Sequence, residues 1–176
     1  MNYATIKKRD IANGPGVRVS LFVSGCTHRC PGCFNEVAWS FSYGAPFDEA
    51  VENEVLEALD SEYVKGLSLL GGEPFEPKNQ RTLVHFLNKM KQRFPEKTVW
   101  CYSGYTLEEL MGEIPGRCRC EVTDEMLSYI NVLVDGRFEL EKKNIRLRFR
   151  GSENQRLIDL DRTRAEGKIV LWDEKQ

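Results

Sequence analysis

The chain has 176 residues, 41% of them hydrophobic, and a formal net charge of −2. That length suits one domain over residues 1–176, and that composition supports a buried core, so disorder is excluded as the default. Nearly balanced charge gives no field for nucleic acid, and no apolar run approaches the ~20 residues that span a bilayer. Met1 to Asp10 holds no signal-peptide core. The expectation is a cytoplasmic protein with no nucleic-acid or membrane partner. Its six cysteines are then thiols or metal ligands rather than disulfides.

Residues 1–12 suit an edge strand, and Asn13-Gly14-Pro15-Gly16 reads as a turn. Val17 to Val23 has the β-branched, apolar bias of a strand and runs straight into Cys26-Thr27-His28-Arg29-Cys30-Pro31-Gly32-Cys33-Phe34. A loop from Asn35 to Pro46 carries Trp39, Phe41 and Tyr43. A helix is expected from about Asp48 to Leu59, with Val51, Val55 and Leu59 on one face. Gly66 to Leu70 is a short buried strand that ends in Gly71-Gly72-Glu73-Pro74-Phe75. A second helix, about Asn79 to Phe94, aligns Leu83, Phe86, Leu87, Met90 and Phe94. His85 falls near that stripe and reads as structural.

Thr98 to Tyr102 is a third strand, in which Cys101 packs as a small hydrophobe. Thr106-Leu107-Glu108-Glu109 has capping-box spacing. The loop Gly112 to Cys120 holds Cys118 and Cys120, which alone do not complete a metal site. A short helix over Thr123 to Tyr129 and a fourth strand over Ile130 to Gly136 follow. Glu139 to Asn144 is charged and turn-like. Ile145 to Phe149 alternates as a half-exposed strand does, and Lys168 to Trp172 makes a final strand. Alternating strands and helices imply parallel pairing. Four or so such units are too few to close an eight-stranded barrel. The expected fold is α/β, an open partial (β/α) barrel with a mostly parallel curved sheet and the cysteines at its mouth.

Two stretches carry the chemistry. Cys26, Cys30 and Cys33 are spaced C-x3-C-x2-C, and thiolates are soft ligands that suit iron–sulfur clusters or zinc. A cubane cluster normally takes four cysteines. Three, with no fourth near them, leave one iron open to a substrate or second cofactor. The alternative is zinc with His28 as fourth ligand, although structural zinc sites usually draw on two separated ligand pairs. The second stretch is Gly71-Gly72-Glu73. Its glycines allow close backbone approach to a ligand, and Glu73 can accept a hydrogen bond from an ammonium group. It also reads as a plain strand-to-helix turn.

Together these motifs resemble the radical S-adenosylmethionine (SAM) superfamily. Asn13 to Gly16, Leu21 to Cys26, Ser103-Gly104-Tyr105, Asn131 to Gly136 and Arg150 to Arg156 narrow the resemblance. They point to the activating proteins of anaerobic (class III) ribonucleoside-triphosphate reductase, over roughly residues 10–156. The resemblance implies a barrel of the radical SAM type and a [4Fe–4S] cluster on Cys26, Cys30 and Cys33 that delivers the electron. It implies SAM on the open iron, with Gly71, Gly72 and Glu73 at its methionine end. Gly32, Cys33 and Phe34 lie on the adenine side; many radical SAM proteins carry an aromatic residue where Gly32 stands, whereas the small activases that this chain resembles share the glycine. Asp135 is a further contact to SAM or to the partner's glycine loop, or a turn cap; Arg150 and Asn154 are placed similarly.

The implied reaction is reductive cleavage of SAM, followed by hydrogen abstraction from a glycine of the reductase large subunit. A flavodoxin or ferredoxin-type protein supplies the electron. The Asn13–Gly16 turn and the Asn35–Phe47 loop are candidate grips for that partner, and the loop's aromatics equally suit a core. Residues 157–176 extend past the matching part with no assigned role. A radical SAM enzyme for a small molecule, a non-catalytic iron–sulfur or zinc module, and a simple electron carrier remain the alternatives.

Overall fold

The computed structural model describes residues 1–173. Within them a seven-stranded sheet carries the fold. Its strands are β1 (Asn2–Asp10), β2 (Val17–Val23), β3 (Ala45–Pro46), β4 (Val64–Gly71), β5 (Thr98–Tyr102), β6 (Val132–Asp135) and β7 (Arg156–Asp159). They lie in the order β3-β1-β2-β4-β5-β6-β7. The inner strands β2, β4, β5 and β6 run parallel, while β1, β3 and β7 are antiparallel to their neighbours. β3 and β7 do not pair with each other, so the α/β sheet is open. β1 lies one place in from the edge, covered at Asn2 and Tyr3 by the two-residue β3.

The helices are α1 (Glu49–Leu59), α2 (Pro77–Arg93), α3 (Leu107–Met111), α4 (Thr123–Ser128) and α5 (Leu160–Glu166). Four of these five starts have a local cause. The Asp48 side chain accepts from the Val51 N–H, and Asp159 does the same for Arg162. Pro77 pre-sets the first turn of α2. Thr106 and Glu109 complete both bonds of a capping box.

Period-two alternation sorts strand side chains onto two faces. Val19, Leu21, Leu67, Leu69, Val99, Cys101 and Leu133 join Leu83, Phe86, Leu87 and Met90 of α2 in the main core. Each fully buried side chain of that stripe is worth roughly 1.5–3 kcal/mol. The stripe therefore holds α2 on the sheet more firmly than helix propensity does. His85 is exposed, contrary to its expected structural role.

The other face carries Arg18, Ser68 and Trp100. Arg18 is buried and donates to Ser68 Oγ at 2.8 Å and to the carbonyls of Leu67 at 2.8 Å and Thr98 at 3.0 Å. Burial pulls its guanidinium down to about 10. Ser68 Oγ in turn donates to the Asn13 carbonyl at 2.5 Å, which ties the Asn13–Gly16 turn to the sheet.

Two expected strands are absent. Ile145 to Phe149 has the alternation of a strand but joins no strand of the sheet, and β7 takes the outer side of β6. It crosses the second sheet face instead, and the Phe149 ring stands edge-on to Trp100 with centroids 5.3 Å apart. Lys168 to Trp172 makes only one bridge, Leu171 with Ile158. Trp172 then packs on Trp100 at 5.0 Å. The strand that pairs with β6 is Arg156–Asp159, too short to declare its period. The extension thus enters the sheet through β7 and α5, and residues 174–176 lie outside the described residues.

Candidate metal centre

Loops at the C-terminal ends of β2, β4 and β5 open onto one cavity of about 450 Å³. Cys26, Cys30, Gly32, Cys33 and Phe34 line it from the first loop. Gly71, Gly72 and Glu73 come from the second, and Tyr102, Ser103 and Gly104 from the third. The crossing segment contributes Ile145, Leu147, Phe149 and Arg150 from the opposite side. All but one of the expected cluster and SAM residues therefore share this cavity, and of the similarly placed pair Arg150 lines it while Asn154 does not.

The exception is Asp135. It is buried and does not line the cavity. Its Oδ2 accepts from the Leu107 N–H at 2.8 Å, at the start of α3, and its Oδ1 accepts from Arg156 Nε at 2.9 Å. Arg156 also grips Glu108 at 2.6 Å and 2.9 Å. Asp135 and Arg156 are register partners across β6 and β7. The Arg150–Arg156 motif is self-bracing in the same way. Asn154 donates to the Arg137 carbonyl at 2.8 Å. Gln155 donates to the Gly136 carbonyl at 3.0 Å and accepts from the Gly151 N–H at 2.8 Å. These residues fix the turn between β6 and β7, and Gly136 and Arg150 reach the cavity wall.

The three cysteines are free and partly exposed. The Asn35 N–H donates to Cys33 Sγ at 3.4 Å. Such a bond favours the thiolate and tunes cluster potential. Burial pushes the Cys26 thiol up to about 12, with Glu73 adding to the rise, while the His28 and Arg29 N–H groups oppose it. Burial also raises Cys30. A bound metal's own charge overrides both effects and releases the protons. Among the described residues, no three His, Cys, Asp or Glu side chains converge on a single-ion site. Three free thiols that open onto one cavity are the soft donor set an iron–sulfur cluster takes.

The glycine turn lies hard against the cysteine loop. A Cβ on Gly72 would fall 2.6 Å from the Gly25 carbonyl oxygen and 3.0 Å from that of Ala38. The Gly72 N–H donates to the Val23 carbonyl at 2.7 Å, and the Glu73 N–H to that of Gly25 at 2.8 Å. Glu73 is 1% exposed. Its Oε1 accepts from the Phe75 N–H at 2.8 Å and Ser103 Oγ at 2.9 Å. Its Oε2 accepts from the Gly104 N–H at 2.7 Å and His28 Nε2 at 2.9 Å. A carboxylate has about four lone-pair sites, so protein donors take them all.

Two further ties were not legible in the motifs. Glu76 Oε1 accepts from the Thr27 N–H at 2.7 Å and hydroxyl at 2.6 Å. Asn79 donates to the carbonyls of Ser24 at 3.1 Å and Glu73 at 2.9 Å. Glu76 stands immediately before Pro77, a position that signals a helix start and hides a loop contact.

Comparison with known proteins agrees with this geometry. The family described as a 4Fe-4S single cluster domain matches residues 12–158. Three relatives bear the name anaerobic ribonucleoside-triphosphate reductase-activating protein. The one from Pasteurella multocida is 45% identical over 157 residues, 88% of this chain and 95% of its own. That from Haemophilus influenzae is 42% identical, over 88% and 96%. That from Enterobacteria phage T4 is 39% identical, over 89% and 93%. The chain is thus an α/β iron–sulfur protein of the 4Fe-4S single cluster class. Within that class it belongs to the family of anaerobic ribonucleoside-triphosphate reductase-activating proteins.

Proposed function

We propose that this chain is a radical SAM activase that places a glycyl radical on the large subunit of anaerobic ribonucleoside-triphosphate reductase. The observation that carries the reading is the shared cavity. Three free cysteine thiols and a tightly packed glycine turn face the same space. The names of the relatives supply the target. Cys26, Cys30 and Cys33 would hold a [4Fe–4S] cluster, and SAM would lie beside it. When bound, the cluster supplies one electron to SAM, which yields methionine and a 5′-deoxyadenosyl radical able to take hydrogen from a glycine Cα.

The chain's own residues position and shield. Gly71 and Gly72 present backbone to the methionine end. Glu73 lends its negative charge to an ammonium group, while its directional bonds brace the three loops. Gly32, Cys33 and Phe34 form the adenine side. Asp135 acts at one remove by fixing α3 and Arg156. The sheet, open and parallel at its centre, supports the partial-barrel architecture of the superfamily as part of this reading.

The partner's glycine loop must reach the cavity mouth. Phe34 is 80% exposed there and Ile145 91%, which suits an apolar docking rim. Of the loop aromatics, Phe41 packs on Gly25 and Tyr43 stays 42% exposed. A flavodoxin or ferredoxin-type donor completes the system in the cytoplasm, without nucleic acid or membrane. Among the described residues, no helix is long and apolar enough to cross a membrane.

The test mixes anaerobically reconstituted protein with SAM, dithionite and the reductase large subunit. The expected result is a glycyl radical signal in the reductase by electron paramagnetic resonance (EPR), with about one 5′-deoxyadenosine formed per radical. SAM cleavage that leaves the reductase without a radical would overturn the target assignment and favour a small-molecule substrate.

A further inference from the structure

His28 sits between Cys26 and Cys30, yet its side chain faces away from a ligand's role. The ring is 2% exposed. Nε2 donates to Glu73 Oε2 at 2.9 Å. The ring stacks at 4.3 Å on Tyr105, and a Cβ on Gly104 would come within 2.5 Å of it. Nδ1 is buried without a hydrogen-bond partner. A buried nitrogen without a partner is unfavourable, so the ring is held in place by Nε2 and packing in spite of that loss. His28 stands two residues from both Cys26 and Cys30, so the place of the ring and that of the cysteine loop are tied.

We propose that His28 is a positioning residue: through Glu73 it locks the cysteine loop to the glycine turn, and so sets both the placement of the cysteine loop that holds the cluster and the alignment of the SAM site with the cluster. The second half of this inference rests on the SAM reading above; the first half does not. Physically, Glu73 is the hub. It receives one side-chain donor from the cysteine loop, one hydroxyl and one N–H from the loop after β5, and one N–H from its own turn. Loss of the His28 donor leaves the other three in place, so the turn keeps its form. The cysteine loop then keeps only the Thr27–Glu76 bonds, the Asn79 bond and the backbone bonds from Gly72 and Glu73 as its ties to this segment.

The test compares His28→Ala and His28→Gln in the full chain, reconstituted anaerobically. Gln restores a side-chain N–H donor of similar reach without the ring. Two readouts are needed. The EPR spectrum of the reduced cluster without SAM reports how the cysteine loop holds the cluster. SAM titration of that spectrum reports affinity. His28→Ala is expected to shift the SAM-free spectrum and to weaken SAM binding at least 10-fold. His28→Gln is expected to restore the spectrum and bring affinity within about threefold of the unmodified chain. If His28→Ala fails to retain iron, recovery of iron and spectrum by His28→Gln supports the proposal equally.

An unchanged SAM-free spectrum in His28→Ala overturns the proposal. So does a Gln variant as impaired as Ala, or tighter SAM binding in Ala, which would make His28 a competitor for Glu73. If the unmodified chain shows no response to SAM, the SAM reading fails. The SAM-free spectra then still decide whether His28 positions the cluster loop.

Discussion

Replacing Gly72 by Ala tests whether the glycine turn and the cysteine loop are rigidly apposed. The added methyl would lie 2.6 Å from the Gly25 carbonyl oxygen and 3.0 Å from that of Ala38, against 3.4 Å for the start of ordinary contact. Relief of the shorter contact takes a separation of about 0.8 Å (the difference between 3.4 and 2.6). Both obstacles are backbone atoms already in use: Gly25 accepts from the Glu73 N–H, and Ala38 from the Gly25 N–H. Neither can swing aside as a flexible side chain does. Overpacking of this kind costs about 1–3 kcal/mol. For a domain of this size that lowers Tm by roughly 2–12 °C, at about 2–4 °C per kcal/mol. The same displacement moves the turn away from the sulfurs, so SAM affinity should fall as well. Thermal melts of the apo chain and SAM titration of the reconstituted chain are the assays. An unchanged Tm together with unchanged SAM affinity would refute the tight apposition.

Two further predictions address the frame. Arg156→Gln leaves buried Asp135 without its cation and frees Glu108. Breaking such a pair costs about 3 kcal/mol or more. Arg156 holds the Glu108 carboxyl down to about 2, from a usual 4.5. That contribution is fully present above 4.5 and lost as pH falls toward 2. The Tm gap between the unmodified chain and Arg156→Gln should therefore narrow as pH drops from about 6 to about 3; a constant gap contradicts the ion pair. Trp172→Ala removes two edge-on ring contacts, to Trp100 and Phe149. At about 0.5–1.5 kcal/mol per pair, stability should fall by about 1–3 kcal/mol in urea unfolding, and no change would show that the extension adds nothing to the fold.

The sequence exposed those features that repeat or that need a particular residue type. The α2 stripe, the Thr106–Glu109 capping box and the strand over Thr98–Tyr102 were all legible, because periodicity or capping chemistry marks them. The cysteines and Gly71-Gly72-Glu73 were legible because soft ligands and close backbone approach leave few substitutes. Long-range pairing was not. Arg156–Asp159 is four residues long and shows no period, whereas Ile145–Phe149 shows one and yet pairs with no strand. Asp135 looked like a cofactor contact from its place at a strand end; its partner Arg156 lies across the sheet and 21 residues on. His28 looked like a rival metal ligand, since only the folded chain brings Glu73 to its Nε2.

The central claim is a cluster held by three thiolates, with one iron left for SAM. Mössbauer spectroscopy of the protein reconstituted with ⁵⁷Fe, before and after SAM is added, tests it most directly. The account predicts four irons per chain, one of which alone changes its signal when SAM binds, and loss of that response when Cys26, Cys30 and Cys33 are replaced together by Ala. Four irons that all ignore SAM, or a single zinc in their place, would contradict it.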